Sequence, residues 1–265
     1  MERVEKKVLD HGFVALIDVM GNDDAVVQAA RVSYGKGTKK RSEDKALIRY
    51  MMRHRHTSVF EMVSFKFHVK APIVVFRQWH RHRTSKINEL SGRYSELPEE
   101  CYVPEIDRLQ KQSVNNKQGS GDKLDCDVQK NIQERMIGDQ ANSFNSYRYN
   151  LENGLSRELA RLNLPLSTYS EMYWKMDLHN LFHFLKLRMD EHAQYEIRAF
   201  ATAIFELIKP IVPISCEAFE DYVLGAVTFS KKEMEILKNF PASTEMKGLN
   251  KRERAEFLKK VGWEI

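Results

Sequence analysis

Residues 63–70, Val-Ser-Phe-Lys-Phe-His-Val-Lys, alternate apolar and polar without a break. That period of two belongs to a strand with one buried face and one wet face. It predicts an antiparallel strand whose odd-numbered positions point into a core. Alternation also marks strands from Phe13 to Val19, closed by Gly21-Asn22, and from Leu166 to Lys175. Other stretches have the helical period. Leu178, Leu181, Phe182 and Leu185 form an i, i+3, i+4, i+7 stripe behind Asp177, a capping residue, with His179, His183 and Arg188 on the other faces. Val128, Ile132, Met136, Phe144, Tyr147 and Leu151 predict a long helix that Asn153-Gly154 ends with a left-handed cap.

Local signals set the remaining boundaries. Asp23 or Asp24 can cap a helix through Arg31, and Ser42 one carrying Leu47, Tyr50, Met51 and His54. Pro72 suits the first position of a helix bearing Arg77, Gln78 and Arg81. Ser156 can cap a short helix that ends before Pro165, and a further helix runs from Ala193 to Lys209, stopping at Pro210. Residues 109–123 are rich in Gln, Asn, Gly and Ser without periodicity and read as a mobile insertion. Ser230 to Glu233 and Asn250 to Glu253 have the form of capping boxes, with Gly262 closing the last helix. The expected fold is α+β: a twisted antiparallel sheet flanked by helices in one domain (1–213), with 214–265 a helical C-terminal extension packed on it.

The 265 residues are 42% hydrophobic and 30% charged, as in a soluble globular protein with a sizeable core. No apolar run approaches the roughly 20 residues of a membrane span. The first residues alternate charge without an apolar stretch, and Cys101, Cys126 and Cys216 are odd in number and widely spaced. Both features point to a cytoplasmic protein with reduced thiols.

Charge changes the picture most. Residues 77–94 hold Arg77, Arg81, Arg83, Lys86 and Arg93 against one acid, Glu89, and so carry +4 of the chain's net +5. Such a cluster repels itself unless an anion neutralises it, and Arg offers forked donors suited to phosphate. Trp79, Ile87, Leu90 and Tyr94 are interleaved, so the stretch can pack as well as solvate. A nucleic-acid-binding module is one reading, although the charge is too concentrated for a long backbone-tracking stripe.

Other chemistries fit less well. The Gly35 to Arg41 loop lacks the rest of a phosphate-binding P-loop and reads as a solvated charge run. The pairs His54/His56 and His80/His82 lack the spacings of a zinc site, and the latter pair sits among arginines, so no metal is expected. No cysteine has the basic surroundings that make a thiolate nucleophile. No Gly-x-Gly-x-x-Gly marks a dinucleotide-binding βαβ unit.

Arg81-His82-Arg83, followed after seven residues by Ser91 within Asn88-Glu89-Leu90-Ser91-Gly92-Arg93-Tyr94, resembles the signature of flavin-dependent thymidylate synthases. Three further stretches match: His56 to Glu61; Arg157 to Arg161 with Leu164-Pro165-Leu166; and Asn180 to Arg188 with Asp190, His192, Ala193 and Gln194. Val59 stands where relatives carry proline, and Met62 where they carry histidine.

The resemblance, which extends from about Gly12 to Pro213, implies an enzyme that methylates dUMP to dTMP. It implies FAD as cofactor, 5,10-methylenetetrahydrofolate and NADPH as cosubstrates, and a homotetramer with active sites shared between subunits. It implies dUMP contacts from Gln78, Trp79, His80, Arg81, Glu89, Leu90, Ser91, Gly92, Arg93, Arg161 and Arg188, with Arg188 acting on the uracil. FAD contacts would come from Ser58, Arg81, His82, Arg83, Glu89, Asp177, Leu178, His179 and His183. Without a nucleophilic cysteine, activation of the pyrimidine would be electrostatic. A flavoprotein acting on another pyrimidine nucleotide is the alternative within the same chemistry.

Overall fold

In a computed structural model of the chain, the described residues are 3–32, 41–114, 119–237 and 251–261. The strands are β1 (Val4–Val8), β2 (Gly12–Met20), β3 (Ser64–Pro72), β4 (Lys86–Glu89), β5 (Gln110–Gln112), β6 (Ser120–Lys123) and β7 (Tyr169–Asp177). Five form an antiparallel sheet in the order β1-β2-β3-β7-β4, and β5 pairs with β6 separately. The α+β expectation is therefore met. In β3 the odd positions Phe65, Phe67, Val69 and Ala71 are fully buried, as alternation demands. This strand is paired on both edges, with Phe13 opposite Lys70 on one side and Asp177 opposite Ser64 on the other.

The helices are α1 (Asp23–Val32), α2 (Arg41–Arg53), α3 (Ile73–Trp79), α4 (Cys126–Glu152), α5 (Arg157–Ala160), α6 (Leu178–Arg188), α7 (Tyr195–Ile208), α8 (Pro213–Phe219), α9 (Lys231–Leu237) and α10 (Lys251–Val261). Helices α3, α6 and α7 meet the inner face of the sheet through aromatic rings. Trp79 of α3 stands edge-on to Trp174 of β7 at 5.2 Å, and Phe184 of α6 lies 5.0 Å from both indoles. Phe200 of α7 closes the group 5.9 Å from Trp79. All four side chains are fully buried. Rings of this size supply much of a core's favourable free energy.

Several boundaries differ from the sequence expectation. Asn22, not Asp23 or Asp24, caps α1: its Oδ1 accepts the N–H groups of Asp24 at 3.0 Å and Ala25 at 3.3 Å. The buried carboxylate of Asp23 instead accepts from Ile214 N at 2.8 Å, Ser215 N at 3.0 Å and Ser215 Oγ at 2.6 Å, and so caps α8. Ser42 falls within α2, which begins one residue earlier. Pro72 is the last residue of β3, held extended at ψ 142°, and α3 starts at Ile73. Arg81 lies beyond the end of α3 instead of on it. Strand β7 starts at Tyr169 because Thr168 N–H closes a turn on Pro165 O at 3.0 Å. Helix α7 starts at Tyr195, since Gln194 is extended at ψ 137°.

Other expectations hold. Asp177 caps α6 by accepting Asn180 N–H at 2.9 Å. Gly154, at φ +82°, ends α4, with Gly154 N–H on Leu151 O and Leu155 N–H on Asn150 O, the two bonds of a Schellman cap. The Ser230–Glu233 capping box makes both of its bonds. The 109–123 segment is not structureless, because β5 and β6 within it pair. The Gly35 loop as far as residue 40, Asn250 and Gly262 lie outside the described residues.

The chain divides into two compact units, Met1–Leu224 and Gly225–Ile265. The first contains the sheet and helices α1 to α8, so α8 belongs with the sheet, tied there by Asp23. The second contains α9 and α10.

The Asp23 tie is testable. Asp23→Ala strands two main-chain donors at the start of α8 and should lower unfolding stability by about 1–3 kcal/mol. Urea denaturation checks this, and a change within 0.5 kcal/mol, roughly the size of a neutral surface substitution, is the contrary result.

Candidate active site

Helix α3 ends at Trp79, and the chain leaves it through a tight turn, with Arg81 N–H on Gln78 O and His82 N–H on Trp79 O. This turn sends alternate side chains in opposite directions. Arg81 and Arg83 are exposed, whereas His82 is buried at 7% exposure, its ring edge-on to Phe184 at 4.9 Å. Opposite lies α6, which presents Asn180, His183 and Leu187 at helical spacing, with Arg188 beside them. Thr84 and Met176 complete the lining of a cleft of about 250 Å³.

Arg188 is held from two sides. Its Nε–H donates to His82 Nε2 at 3.0 Å and its Nη2 to Gln78 O at 3.2 Å. Burial, and then the Arg81 charge, lower the pKa of its guanidinium. His82 is pushed down to about 4 by burial, then by Arg188 and His183, so it is neutral near neutral pH. Among the described residues, Arg81, Arg83 and Arg188 have no carboxylate within salt-bridge distance.

A second group forms where β4 ends. Glu89 accepts from Ser170 Oγ at 2.9 Å and lies 3.6 Å from His80 Nε2, and Leu90 N–H bonds to Glu171 O at 2.8 Å. The following turn, with Ser91 O accepting from Tyr94 N and Ser95 N, brings Gly92 beneath Arg161. A Cβ on Gly92 would lie 3.1 Å from Arg161 Nη1 and 3.2 Å from Leu97 Cδ1, so glycine lets the guanidinium settle on the backbone. Arg93 faces solvent and pairs with Glu158 at 3.2 Å.

The predicted site residues thus fall into distinct places. Arg81, His82, Arg83, His183 and Arg188 line one cleft, with Gln78 joined to Arg188 through its carbonyl. Glu89, Ser91, Gly92 and Arg161 gather at the end of β4. The Trp79 and Leu178 side chains are wholly in the core. The Asp177 carboxylate is taken up by the cap of α6, His179 is half-buried outside the cleft, and Ser58 is exposed on the turn before β3. Sequence reasoning assigned no role to Asn180 or Thr84, which line the cleft, or to Gln194, whose Oε1 accepts from Gln78 Nε2. Asn180 was legible, three residues before His183 on the same face.

Residues 15–214 match the family described as thymidylate synthase complementing protein. The chain is 51% identical over 258 residues to a flavin-dependent thymidylate synthase of Wolbachia pipientis wMel, covering 96% of this chain and 91% of the relative. It is 56% identical over 231 residues to that of Thermus thermophilus, covering 87% and 84%. The chain belongs to the flavin-dependent thymidylate synthase family. With that family it is a methyltransferase. A solved structure of the UMP/dUMP methylase PolB from Streptomyces cacaoi, bound with 5-Br dUMP, superposes with TM-score 0.75 at 34% identity, covering 83% of this chain and 99% of that one. The family match spans both residue groups and excludes α9 and α10.

The buried position of Trp79 separates packing from binding in this family member. Trp79→Ala should cost about 3–5 kcal/mol in urea unfolding through loss of core volume. A Trp79→Ala protein of unchanged stability but weakened nucleotide affinity would put the indole in the site instead.

Proposed function

We propose that this enzyme reductively methylates dUMP to dTMP, with FAD bound in the Arg81–Arg188 cleft and 5,10-methylenetetrahydrofolate and NADPH as cosubstrates. The observation that carries the reading is the cleft's set of cations, Arg81, Arg83 and Arg188, which no carboxylate among the described residues neutralises. Such a donor set fits an anionic dinucleotide, and Met176 and Leu187 add apolar surface for a ring. Arg81, Arg83 and His183 would hold the flavin, with Ser58 and His179 as outlying contacts. When bound, FAD supplies the carrier for the hydride taken from NADPH.

Arg161 above Gly92, with Ser91 beside it, would take the nucleotide phosphate. Arg188 would meet the uracil ring, where its fixed guanidinium favours negative charge and raises electron density at C5. A preorganised cation of this kind needs no reorganisation when charge develops. A cysteine nucleophile has no support: burial raises the pKa of the Cys101 and Cys216 thiols, Cys126 is exposed, and none lines the cleft. A PolB-like range that includes UMP is the remaining variant of substrate.

A cleft of about 250 Å³ is smaller than the roughly 300–1,000 Å³ usual for ligand sites. We take it to be completed by a second copy of the chain in a homotetramer. Exposed apolar side chains on α4, on α5 and just after it, among them Ile137, Tyr149, Leu159 and Leu162, supply surface for such an assembly. Among the described residues no helix is long and apolar enough to cross a membrane. The three cysteines are free, and we place the enzyme in the cytoplasm.

The purified protein should be yellow and absorb as an oxidised flavin. A colourless preparation in which FAD titration gives neither fluorescence quenching nor heat contradicts the reading. Arg188→Ala should lower dTMP formation by roughly 10²–10³, while NADPH-driven flavin reduction survives. Arg188→Lys should not restore it, because an ammonium lacks the planar fork. A flavin-loaded Arg188→Ala enzyme with near wild-type turnover removes Arg188 from the chemistry.

A further inference from the structure

We propose that the His82 imidazole is a positioning group that fixes the Arg188 guanidinium. The inference rests on the function proposed above and assigns the inner residue of the Arg81-His82-Arg83 run a role of its own.

The polarity of the bond is forced. A guanidinium has donors and no acceptor. Arg188 Nε–H points at His82 Nε2 across 3.0 Å, so that ring nitrogen must carry the lone pair and the proton must sit on Nδ1. The imidazole is itself immobilised. It is 7% exposed, with its edge against Phe184, and its backbone is tied by His82 N–H to Trp79 O at 3.0 Å and by Ser85 Oγ to His82 O at 3.1 Å. Gln78 O, near the end of α3, takes a second guanidinium nitrogen, Nη2. Nη1 has no hydrogen-bond partner among the described residues. A flexible four-bond side chain is thereby reduced to one orientation, with its remaining donors available to a ligand in the cleft.

Protonation state is guarded by the surroundings. Arg188 and His183 face the ring from α6, and Arg81 stands next to it in the turn acting on Arg188, so the neighbouring charges that act on it are all cationic or neutral. Burial first, and then Arg188 and His183, lower the His82 pKa to about 4 against an ordinary 6.5. The acceptor therefore persists through neutral pH and fails only in acid. The unfolded chain takes up the proton first as pH falls through 6.5, so this group also removes folding stability between pH 6.5 and about 4.

The test compares His82→Phe, which keeps a ring but has no acceptor, with His82→Gln, whose Oε1 replaces Nε2 as a non-titrating acceptor. Five quantities are read on the purified enzyme: bound flavin per subunit, NADPH oxidation without dUMP, kcat, KM for dUMP, and the acid limb of kcat. His82→Phe should keep its flavin and its NADPH oxidation while kcat falls roughly 10- to 100-fold, the range for losing one hydrogen bond to a charged group. His82→Gln should recover most of that loss and extend activity further into acid than the wild type. Loss of flavin in step with activity would assign His82 to the cofactor and overturn the proposal. So would equal defects in the two variants, or a flavin-loaded His82→Phe enzyme with wild-type kcat. A wild-type enzyme without flavin defeats the underlying function instead, and is read before any variant.

Discussion

Three elements that build the cleft meet at one knot of aromatic rings. Trp79 at the end of α3, Trp174 on β7 and Phe184 on α6 are mutually in contact and fully buried. The cleft lies directly on this knot. The turn after Trp79 carries Arg81 to Arg83, Met176 lies two residues beyond Trp174, and His183 and Arg188 flank Phe184. Close-packed interiors transmit displacement with little give. The spacing between the arginine-bearing turn and α6 is therefore set by the volume of buried rings, not by the charged groups, which would push the two apart.

That repulsion is the cost of the arrangement. Burial, and then Arg81, lower the pKa of Arg188, and no described carboxylate offsets the pair. The fold holds like charges together and leaves their neutralisation to a ligand. Functional sites are often places where one rule of stable folding is broken and compensated elsewhere. Here the compensation is hydrophobic. His82 is neutral first because burial disfavours an imidazolium, and Arg188 and His183 add to that.

Sequence alone revealed what depends on short-range periodicity. The alternation of β3 and the stripe of α6 were legible because one face of each is buried and the other is not. The β5–β6 pair was hidden, since Gln110–Gln112 and Ser120–Lys123 contain no apolar position to alternate. Asp23 was misread because its partners, Ile214 and Ser215, lie about 190 residues away, and no local signal separates it from an ordinary cap. In the site, the arginines were found through the resemblance and their charge. Trp79 and Leu178 are chain neighbours of other candidate binding residues, yet a helix turns each successive side chain by about 100°. One step from Gln78 carries Trp79 into the core.

In the proposed function a fixed cation, not a covalent bond, activates the pyrimidine. This activation is tested most directly by the protonation of the substrate's ring while bound. With 15N-labelled dUMP on the flavin-loaded enzyme, the N3 resonance followed against pH reports the N3 pKa in the site. If Arg188 stabilises the anionic ring over the neutral one, as proposed, that pKa should lie at least one unit, about 1.4 kcal/mol, below its value in free dUMP. An N3 that titrates in the complex as it does in water would contradict the account.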